Sequence, residues 1–459
     1  MSKKILTGAL AAGLVLGLTA CGASAPAADA GGGDEKITLK VQGMPAATDQ
    51  AGVAQFEQMI ADFEEKYPNI TVEGSTNVWD PMTFSAKLAG GGIEDVIEVP
   101  LTEPQGLIDR RQVTPIDEAL ADWDHADELN PQALAPLSDD EGNVYGIPRT
   151  LYAQGLVYNR ALFEAAGLDP DSPPQTWDEV RAAAKAIHDK TGKVGFLIES
   201  KENQGGWQLA MMNYAFGGEM EKKDGDGYAP AFDSAETTEA LQLLADMRWA
   251  DQSMGTSHLN NQNDVIKAFA AGEVGMYMGT PGTYKIAKVN FGMPNPDDFG
   301  ITAMPQAGGD ATLTGGQVFM VPAGVKGAKL DAAVKWLVFA YAQPAYDPEV
   351  AAAQAEALAQ DPTSAVGVPA MPMFDEAQQA KIDEAIAPFV NVELAHFAPY
   401  KEGTPALELK AEPAAAAQAV YGILDTVVQA VLSDENADID ALLAKAEGDA
   451  AQKIASGAK

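Results

Sequence analysis

Between residues 37 and 99 two periodicities alternate, and that alternation limits the possible folds more than any other feature of the chain. Ile37, Leu39 and Val41 alternate with Thr38 and Lys40, the period of a strand with one buried face. Val53, Phe56, Ile60, Phe63 and Tyr67 then recur at helical spacing, and Pro68 stops them. Ile70-Thr71-Val72 is the next strand. A Gly90-Gly91-Gly92 turn leads to a third apolar run, 96–99. Strand, helix, strand, helix, strand predicts an α/β fold, a parallel sheet with helices on its faces. Further on, 155–158 and 194–198 read as strands. The helix between them opens at Thr176, whose hydroxyl forms a capping box with Glu179. The last third is helical by pattern, over 330–341, 349–360, 414–432 and 438–446.

At 459 residues the chain is too long for one ordinary core and fits two or three domain-sized units. Its 66 Asp and Glu outnumber 30 Lys and Arg, a formal charge of −36 that repels polyanions. With no local basic patch, nucleic-acid binding is excluded. The one cysteine, Cys21, allows no internal disulfide and no cysteine-based metal centre. His125, His188, His258 and His396 are too scattered to suggest a histidine site. Neither a metal nor a cofactor is expected.

Lys3 and Lys4 precede an apolar run, 5–20, too short to span a bilayer and shaped like a secretory signal. It ends in Leu18-Thr19-Ala20-Cys21, which resembles the lipobox of bacterial lipoproteins. That resemblance implies cleavage of a 1–20 signal peptide, lipid on the Cys21 thiol and anchoring on the outer face of the cell membrane. Residues 21–35, rich in Gly, Ala, Ser and Pro, then read as a flexible tether.

Catalytic signatures are missing. No Gly-x4-Gly-Lys-Ser/Thr loop, Gly-x-Gly-x-x-Gly turn, His-Glu-x-x-His or Gly-x-Ser-x-Gly occurs. Asp434, Asn436 and Asp438 imitate a calcium loop, but Ile439 and Lys445 stand where its glycine and closing glutamate belong. Asp438 reads better as a helix cap, and Asp224-Gly225-Asp226-Gly227 as a tight turn. Paired carboxylates can meet in space without any sequence spacing, so among 66 acids they carry no argument.

Several segments together resemble one family. "FEQMIADFEEKYPNITV" (56–72), "GGGIEDVI" (90–97) and "GNVYGIP" (142–148) follow one another in its order. So do "GLVYNRALFEAAGLDPDSPPQTWDEVRAAAKAI" (155–187), "AFAAGEVGMYMGTPG" (268–282), "FGITAMP" and "TGGQVFMVP". They are similar to the carbohydrate-type extracellular solute-binding proteins of bacterial ABC importers, the maltose-binding relatives. The likeness runs over 37–345 and more loosely through the helical tail. It implies a two-lobed periplasmic-binding-protein-like fold with crossing hinge strands and a ligand cleft. One lobe would hold 36–149 with 305–345, the other 150–304 with 346–459.

Sugars present apolar C–H faces and a rim of hydroxyls, so aromatic platforms and paired polar side chains are the candidates. After the first three strands these are Met44, Asp49, Trp79, Thr102 and Glu103. At the implied hinge they are Arg149 and Tyr152. Trp207, after Gly205-Gly206, could close from the second lobe. Gly279, Pro281, Gly282 and Tyr284 match the family's later loop, which often carries an aromatic where this chain has Gly282. Gly315, Gly316 and Gln317 would let backbone approach a ligand. Trp177, Trp249 and Trp336 read as structural, and Trp123 has no assignment.

The resemblance thus implies a monomeric, non-enzymatic receptor. It would bind a sugar or oligosaccharide by lobe closure and deliver it to the transmembrane subunits of an ABC permease. Three alternatives stay open: the same scaffold for another solute such as a polyamine, an exported glycan-active enzyme, or a structural lipoprotein. Against a polyamine stands Arg149, a cation in the expected site.

Overall fold

The computed structural model describes residues 36–225 and 227–456. Cys21, the signal segment and the tether lie outside the described residues. The described residues form one compact unit.

Among the described residues twelve strands form two main sheets, a parallel pair and a hairpin. The pair is β1 (Ile37–Val41) and β2 (Ile70–Gly74), and the first main sheet holds β3 (Ile97–Pro100) and β4 (Gly146–Ala153). The second contains β5 (Gly155–Asn159) and β6 (Val194–Phe196); β7 (Glu221–Asp224) and β8 (Gly227–Pro230) form a separate hairpin. β9 (Val274–Gly279) and β10 (Phe299–Ala303) complete the second sheet in the order β10-β5-β9-β6. β11 (Ala311–Met320) returns to the first sheet, and β12 (Glu408–Lys410) pairs parallel with the start of β11. β1 and β2 are parallel, with Ile37 opposite Ile70, and a bridge from Val41 to Val96 brings in β3. The C-terminal part of β11 lies between β3 and β4, antiparallel to both.

The first core gathers β1, β2 and the helices Gln50–Lys66 and Ala328–Leu337. Trp336 is fully buried, edge-on to Phe63 at 5.2 Å and to Phe56 at 5.9 Å. That confirms its structural reading, since an indole this deep stabilises by about 2–3 kcal/mol through burial alone. Trp177 is likewise buried, edge-on to Phe196. It opens the helix Trp177–Thr191, and the Thr176–Glu179 capping box forms as expected. Trp249 donates its indole N–H to the Val431 carbonyl. Trp123, unassigned from sequence, packs between Tyr346 and Phe374. Asp438 caps its helix by accepting the Ala441 N–H. Asp224 pairs with Gly227 across the β7–β8 turn.

Two expectations shift at the edges. The helix expected at 414 begins at Ala417, because Ala416 before it takes a left-handed conformation (φ +54°), while the Ala414 and Ala415 amides bind the Glu221 carboxylate. The strand expected over 194–198 ends at Phe196, although the Leu197 N–H still reaches the Met276 carbonyl. The tail after 345 packs on both sheets. Phe374 joins Leu129 and Ala342 beside the first, and Phe397 joins Tyr284 and Phe299 beside the second.

Candidate functional site

One antiparallel ribbon connects the two sheets. β11 runs beside β4 from Thr314 opposite Ala153 to Met320 opposite Gly146. At Gln154 the chain leaves this ladder and enters β5. The crossing is held by the Gln154 N–H on Leu313 O (2.9 Å) and by Thr312 Oγ1 on Gln154 O (2.8 Å). Tyr400 donates its hydroxyl to Ala153 O at 2.9 Å from below. Gly316, with φ +148°, sits where a Cβ would overlap the Thr150 carbonyl, so only glycine lets the two strands approach there.

On the first-sheet end of the ribbon the charged groups are paired. Arg149 forms an ion pair with Glu98 and lies 5.9 Å from the centre of the Phe319 ring. The Glu98 N–H donates to Gln42 Oε1 (3.1 Å), and Gln42 Nε2 donates to Glu94 (3.0 Å). Ser75 and Asn77 donate to the other Glu94 oxygen at 2.7 and 2.6 Å. Burial raises the Glu94 pKa, but the bonds from Ser75, Asn77, its own backbone and Gln42 outweigh it. The carboxyl is held below its ordinary range. Tyr341, stacked on Phe319 at 3.9 Å, keeps a buried hydroxyl with no partner.

On the second-sheet end the chemistry is different. The helix Gln204–Ala215 is buried almost all round. Its first turn is capped from a distance: Asp425 accepts the Asn203 and Gly206 N–H groups at 2.8 and 2.9 Å. Gly206 lies against the Tyr421 backbone, leaving no room for a Cβ. This seat presents Trp207 beside Glu412. The Trp207 indole N–H and the Tyr421 hydroxyl face the Glu412 carboxylate without closing a hydrogen bond of ordinary geometry. Tyr152, half-buried against Gly315, lies within the field of the same carboxylate, which together with burial pushes its phenol up. Burial raises Glu412 above the usual carboxylate range, only partly offset by Trp207 and Tyr421. Deeper on this side Glu199 is 1% exposed, with one oxygen unpartnered, and burial alone lifts its pKa to about 8. Gln208 and Gln154 also carry buried side-chain oxygens without partners.

The β7–β8 hairpin bridges from this end toward the other. Tyr228 donates its hydroxyl to Asp109 on the helix Pro104–Asp109 at 3.3 Å, and Lys223 lies 3.8 Å from Asp140.

The structure therefore joins Arg149, Tyr152, Gly315, Gly316 and Gln317 in one ribbon. Gln317 lies opposite Thr150 and Pro100, and Gly316 O accepts the Leu101 N–H next to Thr102 and Glu103. Trp207 lies beside Glu412, whose charge also acts on Tyr152 of the ribbon. Other candidates stand apart. Asp49 caps its helix, accepting the Gly52 N–H at 3.0 Å. Met44 lines a recess of about 300 Å³ with Gln50 and Thr76. Trp79 packs on Phe84 at 4.7 Å within the first sheet's flank. Glu103 occupies a helix N-cap position without a side-chain cap bond. Gly279 and Pro281 are buried and Gly282 is exposed. Tyr284 turns into the second core, edge-on to Phe299 and Phe397, because those rings offer it an apolar seat. Glu412, Gln42, Glu98 and Glu199 were not candidates from sequence. Gln42, directly beyond β1, and Glu199, directly beyond the strand expected over 194–198, carried a usable positional signal. Among the described residues no group of three acidic, His or Cys side chains could hold a metal ion.

Two sheets joined by a crossing ribbon, with polar and aromatic groups at its two ends, define a two-lobed solute-binding architecture. The chain belongs to the family of bacterial extracellular solute-binding proteins, whose sequence profile matches residues 58–382. A binding protein of Brucella abortus (strain 2308) is 26% identical over 297 residues, 64% of this chain and 68% of its own. The sugar-binding protein MalE of Xanthomonas citri superposes with a TM-score of 0.67 at 19% identity, covering 91% of this chain and 98% of that one. The cyclic α-maltosyl-1,6-maltose binding protein of Arthrobacter globiformis gives 0.66 at 21% identity, covering 92% and 100%.

Proposed function

We propose that this protein is the receptor of an ABC importer that captures a sugar or oligosaccharide between its lobes and hands it to the membrane permease. The proposed lobes are 36–149 with 305–345 and 150–304 with 346–459, except that the stretch around Phe374 packs with the first. The β4–β11 ribbon supports this reading, because it gathers Arg149, Tyr152 and Gln317 on the two strands that pass between the sheets. A solute touching both ends favours the closed arrangement by its differential contacts, and closure is then the signal a permease reads. The sugar-binding proteins of X. citri and A. globiformis share the fold, which supports a saccharide as cargo. Trp207 and Tyr152 supply apolar faces, and Arg149, Glu98, Gln317 and Glu412 the hydroxyl partners. This is binding chemistry rather than catalysis. Lipid on Cys21 with the 21–35 tether would hold the receptor at the outer face of the membrane.

The test is thermal melting of residues 22–459 with mono- and oligosaccharides, using polyamines as controls. A ligand that binds only the native state raises the midpoint with the logarithm of its concentration over Kd. A rise with one saccharide class is expected; no shift with any saccharide sinks the reading.

A further inference from the structure

Resting on that reading, we propose that Glu98 and Arg149 form one plate that selects an uncharged saccharide by its adjacent hydroxyls and refuses acidic and amino sugars. A β-bulge makes the plate. On β11 Gln317 lies opposite Thr150 and Val318 opposite Pro148, so Arg149 is the extra residue of β4, with no partner across the ladder. Its side chain crosses β11, lies 5.9 Å from the centre of the Phe319 ring and reaches the Glu98 carboxylate on β3, the strand on the far side. Phe319, directly opposite Glu98, is stacked on Tyr341 at 3.9 Å, which gives the plate a rigid floor. Glu98 is fixed as well, its N–H held at 3.1 Å by Oε1 of Gln42, the residue just beyond the carboxyl end of β1. Ligands of open α/β sheets lie beyond such strand ends.

The two members of the plate ask for different things. Arg149 offers donors only, and its contact with Glu98 uses a single N–H of the guanidinium fork; the ionised Glu98 offers acceptors only. The Arg149 side chain is 40% exposed and that of Glu98 18%, so both can meet a solute. A group that satisfies both at once must donate and accept, as neighbouring hydroxyls do. A carboxylate meets Arg149 but is repelled by Glu98, and an ammonium meets Glu98 but is repelled by Arg149. Because the pair is already formed, it needs no rearrangement on binding and penalises a mismatched charge.

The experiment is isothermal titration of residues 22–459 with trisaccharides: maltotriose, xylotriose and arabinotriose as neutral forms, trigalacturonate as the acidic form and the chitosan trimer as the amino form. A neutral trisaccharide should bind at least about tenfold more tightly than either charged one. Glu98→Gln leaves Arg149 unopposed and should move the preference toward trigalacturonate by about tenfold. Arg149→Gln leaves Glu98 unopposed and should move it toward the chitosan trimer by as much. Each variant tests the rule alone, so the loss of one to misfolding leaves the other decisive. A merely structural pair would weaken every trisaccharide alike in both variants, and that result overturns the inference. So does wild-type binding of a charged trisaccharide as tight as that of the neutral ones. Either outcome leaves a saccharide receptor standing, whereas silence from every trisaccharide sinks both.

Discussion

The two ends of the crossing ribbon hold similar residue types in opposite electrostatic conditions. At the first sheet Arg149 has Glu98, and Glu94 has three side-chain donors. At the second sheet Glu199 is buried with one oxygen unpartnered, and burial raises Glu412 despite the Trp207 and Tyr421 donors. A satisfied network is stiff and keeps its geometry with or without solute, whereas unpaired groups gain when something fills them. On the proposed reading the first end, apart from the Tyr341 hydroxyl, is the stiffer wall, and the second is the end whose energy would change most on binding.

The largest effect that would sharpen this contrast is in pH. Glu199 has a folded pKa of about 8 against 4.5, so it takes up a proton on folding. Its destabilising share is absent at pH 4, grows as pH rises through that interval and levels off above pH 8. Glu199→Gln should gain on the order of 4 kcal/mol of stability at pH 8.5 and almost none at pH 4, read by denaturant melts at both. An equal effect at the two pH values breaks the comparison. Glu94 runs the other way: its lowered pKa gives stability present above the ordinary carboxylate range and lost as pH falls through the folded value. Glu94→Gln should therefore cost about 1–3 kcal/mol at pH 7 and less under acid.

Trp207→Ala should weaken saccharide binding by about 2 kcal/mol, near thirtyfold, measured by calorimetry. Arg149→Ala leaves Glu98 unpaired, but the guanidinium is 40% exposed, so a stability loss of about 1 kcal/mol or less is expected by urea titration. The smallest change belongs to the hairpin contact. Tyr228→Phe removes a 3.3 Å bond to Asp109 and should alter stability by at most about 0.5–1 kcal/mol. Scattering that showed the chain opening widely in that variant would make the hairpin a clasp of larger consequence than its one bond suggests.

The sequence was most legible where local rules act alone. The alternation of Ile37, Leu39 and Val41, the stripe from Val53 to Tyr67 and the Thr176–Glu179 cap all depend on neighbours a few residues away. The ribbon was half legible: Tyr152 and Gly315 were candidates, but their pairing is between strands some 160 positions apart. Glu412 was invisible, being one acid among 66 and significant only because Trp207 and Tyr421 fold against it. Tyr284 misled for the converse reason. Its place after a strand suggested a platform, and the rings of Phe299 and Phe397 drew it inward.

The Asp425 cap has a consequence for the order of assembly. The helix bearing Trp207 has its first amides closed by a residue 219–222 positions further along the chain. Loop closure over that distance comes late and slowly. During N-to-C synthesis or export, the sheets can form while this helix still lacks its lid. A chain halted before residue 417 would keep the first core and leave the helix of Trp207 without its Asp425 cap.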